Sequence, residues 1–381
     1  MSAARLARFN ATLAGLDGRG RGRALDGRTG HDFASNDYIG LAGSARLAAA
    51  VREGLARGLP VGASGSRLLR GNHPEHEALE AEAAAFFGAE ACLFFASGFD
   101  ANLALFSTLP RREDLVVYDA LIHASVHAGL AAGKASVVAT PHNDAGAVDE
   151  AIRAWRGRGG RGTPWIAVES IYSMDGDLAP LADLIAIAEH HDGFLVVDEA
   201  HATGVTGPRG RGLSAAFEGR ESLISLHTCG KGLGVSGALL CAHRTLITFL
   251  INRARPFIYA TAPAPLTAAA VREALRVCAD EPERRARLDT LVRYAEGALS
   301  QRLGVPASGS QIIPVLIGDN ARAVAVAARL RAVGFDCRAI RPPTVPEGTA
   351  RLRVSLTLNV DATLLSALVD AIATALADVP A

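Results

Sequence analysis

Lysine is rare in this chain, and its two positions raise the question of what an amine does there. Of 39 basic residues, 39 − 2 = 37 are arginines, and the lysines are Lys134 and Lys231. Lysine can lose its proton when desolvated and then attack a carbonyl, whereas arginine stays protonated. Lys231 lies between glycines in "LHTCGKGLGVSG" (226–237), which makes it a candidate for a Schiff base. On this motif alone, the alternative is an ordinary surface lysine, of the kind expected for Lys134 in "AAGKASVV".

Polar residues follow two apolar runs that are typical of buried strands. "FLVVDEAH" ends in Asp198 and His201, and "AVESIYSMDGD" supplies Glu169 and Ser173. In an open parallel sheet, ligands bind beyond the carboxyl ends of the strands. A buried carboxylate such as that of Asp198 needs a cationic partner. The simpler alternative is that Asp198 only caps the following turn.

Two further motifs follow predicted strands. "ASGFDAN" places Gly98 and Phe99 where a strand turns into a helix, and backbone N–H groups at a helix start bind phosphate. An ordinary glycine turn explains that motif equally well. "DALIHAS" places His123 directly after another strand, where a single histidine is more often structural than functional.

The elements that must position these residues form a predicted α/β domain. Apolar, β-rich runs alternate with helical segments, a pattern that favours a parallel sheet covered on both faces. The last run follows its predecessor across about ten residues, too few for a helical crossover, so its strand should be antiparallel. The predicted strands are "CLFFA" (92–96), "LVVYD" (115–119), "SVVAT" (136–140), "WIAVES" (165–170), "FLVVDEA" (194–200), "SLISLHT" (222–228) and "ALLCAH" (238–243).

The remainder of the chain predicts a second, smaller α/β domain. Two long Arg/Ala/Glu helices begin at about 263, and strands "IIPVLI", "FDCRAI" and "RLRVSLTL" follow with helices near 321–333 and 361–378. The predicted organisation is an N-terminal arm (1–40), a large domain (41–260) and a small C-terminal domain (261–381).

Composition excludes several classes of protein. The net charge of +0 gives no indication of nucleic-acid or anionic membrane binding, and the apolar runs are too short to span a bilayer. The N-terminus is too polar for a signal peptide. Five cysteines without CxxC spacing predict reduced thiols. These features together predict a cytoplasmic protein.

Two apparent motifs do not support their usual ligands. Gly232, Gly234 and Gly237 spell GxGxxG, but a strand follows instead of a helix, so a dinucleotide site is not expected. The histidines and glutamates of "NHPEHEALE" (72–80) lack a pattern such as HExxH, so no metal is expected.

One cofactor, pyridoxal 5′-phosphate (PLP), explains the remaining motifs jointly. Lys231 would hold its aldehyde, Asp198 would pair with the pyridine nitrogen, and His201 would reach the phenolic oxygen. His123 would stack on the ring. The phosphate and its surroundings would be served by Gly98, Phe99, Thr228 and Ser173, and Glu169 would also lie at the cofactor.

At this point the chain resembles the α-oxoamine synthase family of fold-type I PLP-dependent enzymes. The resemblance covers nearly the whole chain and implies a large seven-stranded, mostly parallel sheet domain, a smaller C-terminal α/β domain and a homodimer with shared active sites. The motifs that carry it are "FASNDYIGLAG" (33–43), "GASGSRLLRGNHPEHEALE" (62–80), "ASGFDAN" (96–102), "SMDGDLAPL" (173–181), "DEAHATGVTGPRGRG" (198–212), "GKGLGVSGA" (230–238) and "IRPPTVPEGTARLRVSL" (340–356).

The resemblance also implies substrate residues. Thr344 and an N-terminal arginine would contact substrate, as would His123. Arg21 is the choice for that arginine, although Arg19 and Arg23 are equally basic. Thr261 would approach the neighbouring subunit's cofactor phosphate. Arg353 would hold the amino-acid carboxylate, with Arg351 on the same strand face as the alternative.

The implied activity is decarboxylative condensation of L-alanine with a pimeloyl thioester, a step of biotin biosynthesis, with CoA or acyl carrier protein as the acyl carrier. The alternatives are an α-oxoamine synthase that joins glycine to acetyl- or succinyl-CoA, and a non-catalytic PLP-binding sensor. Known sensors of that kind carry a DNA-binding module, for which this neutral chain has no residues left over.

Overall fold

A computed structural model describes residues 3–380 of the chain. Its strands are short and mostly apolar, and several coincide with the predicted runs. In chain order they are β1 (His31–Asp32), β2 (Ala91–Phe95), β3 (Leu115–Asp119), β4 (Ser136–Thr140), β5 (Pro164–Glu169), β6 (Phe194–Asp198), β7 (Leu223–Thr228), β8 (Ala238–Ala242), β9 (Ile312–Gly318), β10 (Phe335–Asp336), β11 (Arg338–Ile340) and β12 (Ala350–Ser355).

Helices separate most of these strands. In chain order they are α1 (Ala3–Gly18), α2 (Ala45–Ala56), α3 (Pro74–Phe87), α4 (Gly98–Thr108), α5 (Ala124–Ala132), α6 (Ala145–Gly157), α7 (Leu181–His190), α8 (Arg244–Arg253), α9 (Arg255–Ile258), α10 (Pro265–Asp280), α11 (Pro282–Leu303), α12 (Asn320–Ala332) and α13 (Ala362–Asp378), with short 3₁₀ turns at Pro208–Gly210 and Leu213–Phe217. None of the helices within residues 3–380 combines the length and apolar character that a membrane span requires.

The chain divides into two compact units. The large unit comprises residues 36–173 and 177–286 and contains a seven-stranded sheet in the order β2-β8-β7-β6-β5-β3-β4. Strand β8 runs antiparallel to both of its neighbours, and the other pairings in this sheet are parallel. The predicted seven-stranded, mostly parallel sheet with an antiparallel last strand is therefore confirmed.

Side chains from both faces of this sheet are buried, which explains why its strands read as continuous apolar runs. Successive residues of β3 point to opposite faces: Val116 belongs to one apolar cluster with Leu105 and Ile224, and Leu115 and Val117 belong to another. Because helices cover both faces, the polar residues of the strands are concentrated at the strand ends.

The small unit comprises residues 3–35, 174–176 and 287–380 of the described chain. Its three-stranded antiparallel sheet has the order β11-β12-β9, and a separate two-stranded parallel sheet joins β1 to β10. The single strand predicted for "FDCRAI" (335–340) is wrong in this respect. The chain leaves one sheet and enters the other at Cys337, a buried residue between the two pairs.

The boundaries of these units differ from the predicted domain boundaries at residues 40 and 260. Helix α10 packs against α2 and α3 in the large unit, and its buried face includes Ala268, Val271 and Leu275. The predicted N-terminal arm contributes β1, which pairs with β10 of the small unit. The packing of the apolar face of α10 places that helix in the large unit, and backbone pairing places β1 in the small unit. A change in amino-acid composition along the sequence reveals neither contact.

Candidate active site

Two carboxyl groups lie side by side at the carboxyl ends of β5 and β6. Glu169 is the register partner of Asp198, and both residues are buried. The Asn102 side-chain amide donates to Oδ2 of Asp198 at 2.9 Å, and the Ala200 backbone N–H donates to Oδ1 at 3.0 Å. These two donors fix the orientation of the Asp198 carboxylate.

The surroundings of Glu169 favour its protonated form. Burial, followed by the neighbouring charge of Asp198, raises the pKa of Glu169 to about 8. The Ser173 backbone N–H donates to its Oε2 at 3.0 Å. The other oxygen, Oε1, is buried without a hydrogen-bond partner among the described residues. Negative charge in this pair is therefore concentrated on Asp198.

The amine of Lys231 contacts a histidine from the neighbouring strand end. Its Nζ lies 2.8 Å from Nε2 of His201, three residues after Asp198. The Tyr38 hydroxyl lies 2.6 Å from Nδ1 of the same ring and 2.9 Å from Oδ1 of Asn36. The histidine is thus held from both sides, which fixes the position of the lysine amine next to it.

Two glycines that follow Lys231, Gly232 and Gly237, are required because neighbouring atoms approach them closely. A Cβ atom at Gly232 would lie 2.3 Å from the Thr203 carbonyl oxygen. Gly237 has a φ of +104°, and a Cβ atom there would lie 2.5 Å from Cε2 of Phe94. Both positions exclude a larger side chain, so the turn that presents Lys231 depends on them.

His123 is linked to Asp198 through a chain of hydrogen bonds. His123 is the N-cap of α5. Its Nδ1 accepts a hydrogen bond from the Ser125 backbone N–H at 3.2 Å and lies 2.8 Å from the Ser125 hydroxyl. The Asn102 side-chain amide donates to both the Ser125 hydroxyl and Asp198, at 2.9 Å each. Since Nδ1 accepts a backbone hydrogen bond, the neutral ring carries its proton on Nε2.

The charges of Asp198 and Lys231 both act on the pKa of His123. Desolvation by the surrounding protein lowers the pKa of His123; the charge of Asp198 opposes this effect and the charge of Lys231 adds to it. The charges of Asp198 and Lys231 also act on Glu169. Four predicted site residues therefore lie close enough to influence one another.

The start of α4 forms a second part of the site. Ser97 is the N-cap, and its hydroxyl accepts from the Asp100 backbone N–H at 3.1 Å. A Cβ atom at Gly98 would lie 3.6 Å from Oγ1 of Thr228, so the first turn of α4 adjoins that hydroxyl. An eleven-residue helix with a hydroxyl at its N-terminus is well suited to bind a phosphate. The Phe99 side chain is exposed.

The remaining predicted site residues lie elsewhere. Thr261 is exposed in the large unit, on a loop whose Ala262 N–H donates to the Gly65 carbonyl at 2.9 Å. The predicted substrate residues Arg21, Thr344 and Arg353 belong to the small unit.

Contacts within the small unit bear on the choice among its arginines. Arg21 forms an ion pair with Glu347, whereas Nη2 of Arg23 lies 3.4 Å from the Thr344 hydroxyl. On β12, Arg351 forms an ion pair with Asp175, and Nη1 of Arg353 donates to the Ser355 hydroxyl at 2.6 Å.

Residues of "NHPEHEALE" have protein partners. The Arg67 guanidinium binds both oxygens of Glu80 at 2.8 and 2.9 Å, and Nε2 of His76 lies 2.8 Å from the Pro263 carbonyl. Within residues 3–380 there is no cluster of three or more side chains able to hold a metal ion.

Three supporting residues were missed by the sequence analysis. Tyr38 positions His201, and Asn102 and Ser125 connect Asp198 with His123. Tyr38 and Asn102 lie inside motifs that the resemblance includes, and Asn102 follows Gly98 by four residues, one helical turn. That spacing was the available signal for Asn102.

Together these residues fit PLP. The fit rests on an amine beside a buried histidine, an oriented carboxylate at a strand end and a helix N-terminus next to a hydroxyl. The unpartnered Oε1 of Glu169 adds a buried polar atom at the same strand end. The fold and this set of groups define a fold-type I PLP-dependent enzyme.

Comparison with known proteins supports a PLP-dependent enzyme of this fold type. The model of the family "Aminotransferase class I and II" matches residues 28–372. The 8-amino-7-oxononanoate synthase of Anaeromyxobacter dehalogenans (strain 2CP-1) is 41% identical, over 98% of this chain and 96% of the relative. A solved structure of serine palmitoyltransferase from S. paucimobilis with bound PLP–myriocin aldimine has a TM-score of 0.87 and 26% identity, covering 99% of this chain and 98% of that one. The crystal structure of 8-amino-7-oxononanoate synthase from Francisella tularensis has a TM-score of 0.76 and 27% identity, covering 91% and 97%.

The chain belongs to the class I and II aminotransferase family. It is a PLP-dependent acyltransferase, and the predicted cofactor, fold type and resemblance to α-oxoamine synthases are confirmed. The relatives that carry the name 8-amino-7-oxononanoate synthase define the particular branch to which it is similar.

Proposed function

We propose that this protein condenses L-alanine with a pimeloyl thioester to give 8-amino-7-oxononanoate, CO₂ and a free thiol, in biotin biosynthesis. The observation that carries the proposal is the contact between Lys231 and His201, next to Asp198, in a chain that aligns over 98% of its length with an 8-amino-7-oxononanoate synthase. The roles of the individual residues are part of this proposal.

PLP, when bound, supplies an aldehyde that condenses with amines and a protonated ring that withdraws electrons from the amino acid. Lys231 would hold that aldehyde and, when its amine is free again, would take the proton from Cα of alanine. The His201 ring at 2.8 Å keeps the amine in position for this transfer, and Tyr38 fixes the ring in turn. The alanine Cα would then attack the thioester carbonyl and the thiolate would leave and take up a proton from solvent. The new β-keto acid would lose CO₂, and the protonated Lys231 would return a proton to Cα.

Asp198 acts on the cofactor ring, and His123 acts on the substrate. Asp198, oriented by Asn102, keeps the ring nitrogen protonated so that the negative charge developing at Cα is delocalised. The Nε2–H of His123 is the group available to donate a hydrogen bond to the acyl carbonyl or to the carboxylate, because its Nδ1 accepts from Ser125. The N-terminus of α4, Thr228 and Ser173 serve the phosphate and its surroundings.

Substrate contacts are proposed for Arg21, Thr344 and Arg353 on the basis of the family resemblance. The carboxylate of alanine is assigned to Arg353, and the distal carboxylate of pimeloyl to Arg21 or a neighbouring arginine. A basic partner suits a free carboxylate, and a methyl-capped pimeloyl group would not need one.

Substrate choice tests the proposal directly. We expect L-alanine to be preferred over glycine, and pimeloyl over succinyl and acetyl thioesters, in competition assays at equal thioester concentrations. Pimeloyl has three methylenes more than succinyl, and at about 0.8 kcal/mol for each buried methylene this gives ~2.4 kcal/mol, or roughly 60-fold in kcat/KM.

The competing function within the family gives the opposite result. A larger kcat/KM for glycine with succinyl- or acetyl-CoA would leave the fold and cofactor intact and reject the biotin-pathway assignment. A protein that binds PLP but turns over none of these thioesters would instead be a sensor. Product identity should be checked by mass spectrometry, since thiol release alone also reports hydrolysis.

We also propose that the protein is a homodimer. Large apolar side chains are exposed on two loops of the large unit that Ala262 and Gly65 connect through a backbone hydrogen bond. The most exposed are Leu69 (81%), Val61 (76%) and Tyr259 (75%). A second copy of the chain would bury them, and Thr261 on the same loop would approach the partner's cofactor phosphate. Because Thr261 is itself exposed, its contribution depends on such a partner.

We expect a dimer in multi-angle light scattering and a shift to monomer in Leu69→Asp. Burying a leucine side chain is worth about 1.5–3 kcal/mol and a two-fold interface contains it twice, so the dissociation constant should rise by ~10²-fold or more. Val333→Asp, at a residue of the small unit with 64% exposure, is the matched control and should remain dimeric. A fully active monomer would reject shared active sites.

A cytoplasmic location is part of the proposal as well. It is supported by five buried cysteines with free thiols, which are typical of a reducing compartment.

A further inference from the structure

His142 is the centre of a partly buried network of charged side chains in the large unit. It follows β4, and its Nδ1 lies 2.9 and 3.1 Å from the two carboxylate oxygens of Asp119, the last residue of β3. Its Nε2 lies 2.7 Å from Oδ2 of Asp177. One imidazole ring therefore bridges two carboxylates from different segments of the chain.

The two contacts require a charged ring. An ionised carboxylate only accepts hydrogen bonds, so both ring nitrogens must donate, and only the imidazolium has an N–H on each nitrogen. Burial opposes this charge, but hydrogen bonds to Asp119 and Asp177 and the charges of both outweigh it and raise the pKa of His142 to about 10. The Tyr172 ring packs edge-on against the imidazole with the centroids 4.4 Å apart, and burial raises the pKa of its hydroxyl, which keeps it neutral.

Asp119 connects His142 with the turn that presents His123. Its Oδ1 also accepts from the Leu121 backbone N–H at 2.8 Å, and its carbonyl accepts from the Ile122 N–H at 3.0 Å. Burial disfavours the Asp119 carboxylate, yet hydrogen bonds from His142 and from backbone N–H groups hold its pKa below the usual value. His142 therefore stabilises the charged form of the group that organises the turn between β3 and His123.

Asp177 connects His142 with the segment that carries Ser173. The Asp177 carbonyl accepts from the Tyr172 N–H at 3.0 Å. The next residue, Ser173, donates from its backbone N–H to Oε2 of Glu169 at 3.0 Å. A shift of Asp177 would therefore be transmitted through one backbone hydrogen bond to the residue that precedes Ser173.

Asn143 makes a second set of contacts to the same two carboxylates. Its backbone N–H donates to Oδ2 of Asp119 at 2.7 Å, and its side-chain amide donates to Oδ2 of Asp177 at 2.7 Å and to the Leu178 carbonyl at 3.2 Å. Its φ of +56° is in the left-handed region, which asparagine adopts more readily than most residues. Together His142 and Asn143 supply two donors to each carboxylate.

We propose that protonated His142 is a positioning residue for the cofactor site, because it ties together, through Asp119 and Asp177, the two segments that present His123 and Ser173. It acts through these segments and not on the reacting atoms. The inference rests on the proposed roles of His123 and Ser173 at PLP, and it is independent of the identity of the thioester.

Nuclear magnetic resonance of the histidine side chains tests the charged bridge in the wild-type holoenzyme. The His142 signals are assigned by their loss in His142→Gln or their shift in Asp177→Asn. We expect N–H groups on both ring nitrogens at neutral pH and a pKa of about 10, whereas an ordinary histidine has a pKa of 6.5. Because the folded-state pKa is raised, the bridge contributes fully below pH 6.5 and is lost as the pH rises toward 10. A His142 ring that titrates near pH 6.5 would overturn the proposal.

Release of PLP from the holoenzyme distinguishes positioning from a purely structural role. Free PLP is destroyed by phosphatase, and the loss of bound PLP is followed by its visible absorbance. His142→Gln and Asp177→Asn should each release PLP ~10-fold faster, the cost of one lost hydrogen bond between charged groups. The visible circular dichroism of the PLP still bound should be weaker, since the ring is held less rigidly. The double variant should release PLP no faster than either single variant, because all three lose the same contact.

His191→Gln is the matched control. The Nε2 of His191 lies 2.7 Å from Oδ1 of Asp149, so this histidine also contacts a carboxylate, but at the end of α7 and outside the His142 network. Its replacement should leave both PLP release and the circular dichroism of bound PLP as in the wild type.

The inference and the proposed function fail in different ways. Wild-type release of PLP from folded His142→Gln would overturn the inference, and so would a ~100-fold effect in the double variant, which would show that the two residues act independently. If His142→Gln does not fold, Asp177→Asn, which keeps the shape of the side chain, and the pKa of His142 in the wild type decide. Faster release as expected, in an enzyme that forms no 8-amino-7-oxononanoate, would retain the inference and reject the proposed function.

Discussion

Lys231→Arg should eliminate covalent attachment of PLP and lower turnover by ~10⁴-fold, the upper end of what a general base contributes. Arginine keeps the positive charge beside His201 but neither forms the bond to the aldehyde nor accepts the Cα proton, because it stays protonated. Gly232 and Gly237 keep the surrounding turn, so the variant should still fold, with the circular dichroism and melting temperature of the wild type.

The chemical identity of the linkage is tested by borohydride reduction of the wild-type enzyme followed by peptide mapping. The label should be found on the peptide that contains Lys231. Lys134→Arg is the matched control, since it changes the other lysine of the chain and should retain both the label and the turnover with L-alanine. A label on Lys134, or no label on either lysine, would contradict the assignment.

The chemistry-bearing residues could be found from the sequence because each follows a recognisable strand or glycine turn. Asp198 ends the apolar run that forms β6, and Lys231 precedes Gly232 and Gly237, two positions where close approach leaves no room for a side chain. Buried parallel strands are continuous apolar runs, so the sheet and its antiparallel last strand were also predictable. Because these strands are parallel, their carboxyl ends lie at one edge of the sheet, and the polar residues that follow them lie close together.

The supporting contacts could not be predicted in the same way. Tyr38 and His201 are 163 residues apart, and Asn102 and Asp198 are 96 apart, so these pairs exist only after the chain has folded. The division of residues 335–340 between two sheets depends on strand pairing with His31–Asp32 and with β12, which local β-propensity does not specify. The change in the Glu169 pKa is likewise a consequence of the register between β5 and β6.

The register of Glu169 and Asp198 explains how one charge is directed at the cofactor ring. Two adjacent buried carboxyl groups do not both ionise readily, and the pKa of Glu169, raised to about 8 by burial and by Asp198, keeps the proton there at neutral pH. Asp198 is then the anion that meets the ring nitrogen, with Asn102 and the Ala200 N–H holding its two oxygens. The arrangement makes a specific prediction for each carboxyl group.

Asp198→Asn should lower turnover by ~10³-fold or more, equivalent to several kcal/mol of lost carbanion stabilisation. Asparagine has nearly the same shape, but its neutral amide does not hold the ring nitrogen protonated. PLP binding should be affected much less, because the Lys231 linkage and the start of α4 remain. Glu169→Gln is the matched comparison. Because glutamine resembles the protonated acid, the loss of turnover in this variant at neutral pH should be far smaller. Any change in rate that the wild type shows as Glu169 ionises above about pH 8 should be absent from the variant.

Proton exchange at Cα of L-alanine isolates the step that Asp198 serves, since it requires no thioester. Exchange in deuterated buffer, followed by NMR, should slow in Asp198→Asn by about the same factor as turnover. Exchange at nearly the wild-type rate would show that the electron-withdrawing ring does not depend on this carboxylate, and the role of Asp198 would be wrong. If turnover were slow in that case, the defect would lie in the attack on the thioester, where His123 is the residue to test.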